Sequence, residues 1–211
     1  MKINLDSPVI VFLTTVADFM ILNILFILCC APVITIGPAV SALYTITMRE
    51  ARHEGGYIFK PFFKAFKNNF KQAFLLSILY LIIGASFVFG VKFWIEKPEF
   101  STVNQVILVI TGVFAVIFIF SLFYVFALIA RFDNTIFKSV KNAVMLAVFN
   151  LRETFLLTLI HVIVIVLMIF TKGIWIFMMV GGFSVSAYIN SLLFIRVFRQ
   201  YEKIEGGNHD D

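Results

Sequence analysis

The chain has 211 residues, of which 61% are hydrophobic, 17% aromatic and only 14% charged, and its mean hydropathy is +1.01. A soluble domain carries roughly 25% charged residues, so the composition excludes a water-soluble enzyme. The formal net charge of +5 would suit nucleic acid, but the basic residues sit beside hydrophobic runs, which points to an anionic lipid bilayer instead.

The first apolar stretch is read as part of the mature chain. Lys2 is the only basic residue ahead of it, Asp18 interrupts it, and Cys29 follows Leu28 rather than a small residue. Cys29 and Cys30 are expected as buried thiols. Thirty uncharged residues then separate Asp18 from Arg49. Pro32 and the Gly37-Pro38 pair divide them into two expected helices, about 9 to 31 and about 38 to 50, joined by a non-helical corner from Val33 to Gly37. Residues 72 to 91 are uncharged between Lys71 and Lys92, one spanning length. Residues 100 to 130 are also uncharged; at about 1.5 Å per residue they exceed a core of about 30 Å, so that helix tilts or starts late. Residues 154 to 171 and 173 to 195 complete the set, divided by Lys172-Gly173. The expectation is one all-α membrane domain over 1–211 with five or six transmembrane helices, six if residues 9 to 50 cross twice.

Orientation follows Lys and Arg. Thirteen of the 17 basic residues fall in three segments, Arg49 to Lys71, Arg131 to Arg152 and Arg196 to Lys203, which are assigned to the cytoplasmic side; the N-terminus is then inside if residues 9 to 50 form a helical hairpin, the favoured reading, and outside if they cross once. The opposite connections hold Lys92, Lys97 and Lys172, the first two offset by Glu96 and Glu99.

An internal similarity overlies this pattern. Asn69-Phe70-Lys71-Gln72-Ala73-Phe74-Leu75-Leu76 aligns with Asn150-Leu151-Arg152-Glu153-Thr154-Phe155-Leu156-Leu157, and Ile58-Phe59-Lys60 with Ile136-Phe137-Lys138. It predicts a parallel repeat, about 33–93 and about 103–171, followed by a final helix at 174–196 and a cytoplasmic tail at 197–211. Each unit carries a basic amphipathic elbow. In the first, Lys60, Lys64, Lys67 and Lys71 recur at helical spacing opposite Phe59, Phe62, Phe63, Phe66 and Phe70. That pattern suits a helix lying in the interface, with Phe62 and Phe66 in the acyl boundary and the lysines among headgroups or against a partner. The second is milder, with Lys138, Lys141 and Asn142 opposite Phe137, Val140, Val144, Val148 and Leu151.

The run Asn23-Ile24-Leu25, Pro32-Val33, Thr35-Ile36-Gly37-Pro38-Ala39, Ala42-Leu43-Tyr44 and Gly56-Tyr57-Ile58-Phe59, continuing into the lysine elbow, resembles the YesL family, domain of unknown function 624. The resemblance implies a multi-pass protein of the bacterial cell membrane, encoded beside carbohydrate ABC-importer and glycan-degradation genes. It supplies no catalytic residue. Glu50-Ala51 with Gly56 also resembles the coupling loop of ABC permeases, though Arg52 breaks that pattern.

Two functional readings follow. In the first the chain is a non-enzymatic accessory or regulatory component associated with carbohydrate uptake, with ABC-importer components as partners. In the second it is a small transporter or channel. Asp18, Asn23, Thr35, Tyr44 and the backbone freed at Gly37 and Pro38 would then form a polar intramembrane site, against the plainer reading of hydrogen bonds that fix helix packing. No phosphate-binding loop or nucleophile elbow is present. His161 is the one histidine within a span, with His53 and His209 too distant in the topology to share a metal. No cofactor or metal is expected, and the oligomeric state is left open.

Overall fold

The computed structural model describes residues 8–96, 102–171 and 173–206. Lys2, Lys97, Glu99, Lys172 and His209 lie outside them. Every regular element among the described residues is helical: α1 (Pro8–Cys30), a 3₁₀ turn (Val33–Thr35), α2 (Ile36–Ala51), α3 (Phe59–Ile95), α4 (Thr102–Arg131), α5 (Ile136–Phe149), α6 (Leu151–Phe170), α7 (Ile174–Phe177), a π turn (Met178–Gly182) and α8 (Phe183–Gly206). Five helical stretches are long and apolar enough to cross a membrane: 12–30, 59–95, 102–131, 151–170 and 174–202. Their outward faces carry Leu81, Ile82, Val88, Phe89, Val109 and Phe155, all more than half exposed, as expected where lipid replaces water.

The 9 to 50 stretch forms two helices, as the sixth-helix reading requires, but α2 is unlike the others. Its 16 residues rise about 24 Å, short of a core of about 30 Å, and it is the hub of the bundle, touching α1, α3, α4 and α8. Small residues make this possible: Gly37, Ala39, Ser41 and Ala42 are all buried, so neighbouring backbones approach closely. Gly37 is the tightest point. A Cβ there would overlap Ser77 Oγ and lie 2.9 Å from the Ala73 carbonyl oxygen and Phe126 Cε1. Pro38 falls in α2 as expected, whereas Ile36 and Gly37 belong to the first turn of α2 rather than to the non-helical corner. Proline fits there because that turn has no intrahelical acceptor for its missing N–H.

A second correction concerns the first elbow. It is not a separate interfacial helix but the opening of α3, 37 residues long without interruption, about 55 Å. Buried Ile58, Phe62, Ala65, Ala73, Leu76 and Tyr80 fall at steps of three and four or their sums, so one seam runs from the basic end into the span along an unbroken helix. The second elbow does form its own helix. The Thr135 side chain caps its start, and Asn150 (φ −111°, ψ 57°) ends it. Although aligned in sequence, Asn69 lies inside a helix and Asn150 between two, so the two units differ at the elbow.

Candidate functional site

The polar residues expected to share a pocket are dispersed. Asn23 is fully buried and faces the π turn before α8. Widening from i,i+4 to i,i+5 bonding leaves carbonyls without their usual donors, and Asn23 Nδ2 donates to two of them, Met178 O at 2.9 Å and Met179 O at 2.8 Å. Its Oδ1 accepts from Ser184 N at 3.1 Å. Ser184 Oγ lies 2.8 Å from both Phe19 O and Gly181 O, so α1 and the last helix are stitched together. No group of Asn23 is left over for a solute.

Thr35 is spent within its own corner, its hydroxyl 2.6 Å from Cys29 O and 2.7 Å from Pro32 O. Asp18 lies 12 residues before the end of α1, about 18 Å along the helix axis. Its charge acts instead on Glu50 near the C-terminus of α2. Burial first, then repulsion from Asp18, raises the Glu50 carboxyl above its ordinary value, and Arg49 opposes the shift. Tyr44 is buried and packs edge-on to Phe194 at 5.2 Å. Beside it Thr47 and Ser191 hydroxyls meet at 2.8 Å. Farther out, Tyr80 meets Ser121 at 3.0 Å and Tyr124 meets Thr154 at 2.9 Å. These pairs tie helices distant in sequence, and spacing within one helix carries no signal for them.

The lysine row fares differently. Lys60, Lys64, Lys67 and Lys71 are all exposed, and none joins an ion pair among the described residues. Lys67 and Lys71 border an open groove with Phe63, Phe66 and Phe70. Phe66 is half-buried, in keeping with a surface role, whereas Phe62 is wholly enclosed by protein. Phe62 is therefore withdrawn from the membrane-contact set.

At the same basic end, a recess of about 240 Å³ opens between α4, α5 and α8, lined by Asn134, Asn142, Tyr201 and Glu202 with Phe132 and Phe198 among its apolar walls. Glu202 accepts from Arg131 Nε at 3.1 Å and Nη2 at 2.8 Å. No sequence motif marked this recess, because its residues come from three separate segments. His161 Nδ1 lies 2.7 Å from Leu157 O and its ring stacks on Phe123 at 4.5 Å. Among the described residues no three His, Cys, Asp or Glu side chains gather as metal ligands.

Residues 19–91 match the family model described as "Protein of unknown function, DUF624". The chain carries a DUF624 segment. This bears out the YesL resemblance over the part of the chain that contains Asn23, the Thr35 corner, α2 and the lysine row. Asp18 falls just before the DUF624 segment, and the π turn that Asn23 serves lies far beyond it. No curated protein and no solved structure matches the chain.

Proposed function

We propose that this multi-pass membrane protein is a non-enzymatic accessory component that presents a basic inner surface to the anionic leaflet and to a partner there. The observation that carries this reading is the exposed lysine row of α3, free of ion pairs among the described residues and flanked by accessible phenylalanines. Each basic residue near an anionic surface contributes about 1 kcal/mol. The association with carbohydrate uptake, and with ABC-importer components as partners, comes from the family resemblance. The transporter reading draws less support, because Asn23 and Thr35 are consumed by backbone carbonyls.

The test compares two variants in cells and in liposomes. The triple change Lys60→Glu, Lys64→Glu and Lys67→Glu is expected to abolish an uptake phenotype that Asp18→Asn retains, and the purified wild-type chain is expected to move no sugar into vesicles. Sugar flux by the purified chain, lost in Asp18→Asn, would install the transporter in its place.

A further inference from the structure

Apart from the lysine row, three helices bring guanidinium groups together at the basic end. Arg52 caps α2, Arg131 ends α4 and Arg199 lies on α8. All three line one cavity of about 40 Å³, with Phe198 and Glu202 among its other walls. A single water needs about 10 to 15 Å³, so the space admits a group of several heavy atoms.

The charges around it do not cancel. Glu202 accepts from Arg131, and Glu54 accepts from Arg52 Nη2 at 2.9 Å. Three guanidiniums against two carboxylates leave a net positive charge in the cavity, and Arg196 on the adjoining groove adds to it. Arg52 Nε is buried and has no hydrogen-bond partner. A buried donor without an acceptor is costly, more so on a charged group; the missing element is an acceptor. Arg199 and Ile195 also line an adjoining open groove of about 420 Å³, shared with Ala51, Leu192, Arg196 and Gln200, so a groove with one apolar wall and one basic edge leads away from the pocket.

We propose that Arg52, Arg131 and Arg199 hold the phosphodiester of one anionic phospholipid, with an acyl chain along Ile195 and Leu192. Arginine forks match phosphate oxygens, the surplus positive charge suits an anionic phosphodiester, and basic pockets between transmembrane helices suit lipid headgroups. Inorganic phosphate shares the headgroup chemistry but has no chain for the groove. The site does not depend on the lysine surface.

The test is native mass spectrometry of the full chain in neutral detergent, titrated separately with phosphatidylglycerol, phosphatidylcholine and inorganic phosphate. Wild type is expected to retain one phosphatidylglycerol about tenfold more strongly than phosphatidylcholine, and Arg52→Gln with Arg199→Gln to lose about that factor. The triple lysine variant should bind as wild type does. Arg199→Lys, which keeps the charge at an exposed position, should melt as wild type but retain less lipid, because an ammonium cannot fork. Equal retention of the two lipids, or unchanged retention in the double arginine variant, overturns the site. Displacement of the lipid by inorganic phosphate at comparable concentration overturns the lipid as its occupant.

Discussion

Asn23 is a side chain whose identity is set by a helix 155 residues away. Replacing it with leucine keeps the volume but strands Met178 O, Met179 O and Ser184 N where no water reaches. Such unsatisfied groups cost about 1 to 3 kcal/mol, while membrane hydrogen bonds measured by double-mutant cycles average about 0.6 kcal/mol because the unfolded state also finds partners. Three bonds on one residue place Asn23→Leu near about 2 kcal/mol, to be read from SDS-titrated unfolding, with Asn23→Ser intermediate. Glu50 carries a pH signature. Its folded value is raised, so at neutral pH the folded state bears a charge it disfavours, and stability falls as pH rises from the unfolded value through the folded one. Glu50→Gln should therefore stabilise the protein at pH 8 and lose that advantage below about pH 4, where both states are protonated; a stability difference that does not change with pH would contradict the assignment.

At the scale of elements, charge-free length was enough to place the helices. Residues 72 to 91 fall within α3, 100 to 130 nearly coincide with α4, and the division near Gly173 separates α6 from α7. The continuity of α3 was not legible, because lysines and phenylalanines at helical spacing look the same whether the apolar face meets lipid or protein. Phe62 decides the matter, since it lies in the seam and not in the acyl boundary. Tryptophan at Phe63, 41% exposed, should be quenched by brominated lipid, whereas tryptophan at Phe62, 0% exposed, should either stay unquenched or fail to fold. The candidate site was legible in part: the DUF624 segment and its lysine row could be read along the chain. The partners of Asn23 and the arginine cavity could not, because each joins residues from helices that only the folded topology brings together.

For the whole molecule, the clustering of Arg and Lys predicts the α2–α3 connection inside and the α3–α4 connection outside. With Cys29 and Cys30 replaced by alanine, cysteine at Glu96 should react with an impermeant maleimide on intact cells and cysteine at Asn68 should not; reversed labelling would invert the protein. The burial of α2 also has a consequence in time. Thr47 meets Ser191 144 residues later in the chain, and at about 5 to 20 residues per second the ribosome needs roughly 7 to 30 s to deliver that partner. Throughout that interval a short helix bearing buried hydroxyls has α1, α3 and α4 against it but not α8. The nascent bundle is thus complete only when its last helix arrives, and a chain ended after Gly173 should insert its earlier helices yet be cleared by membrane proteases far faster than the full chain in a pulse-chase experiment.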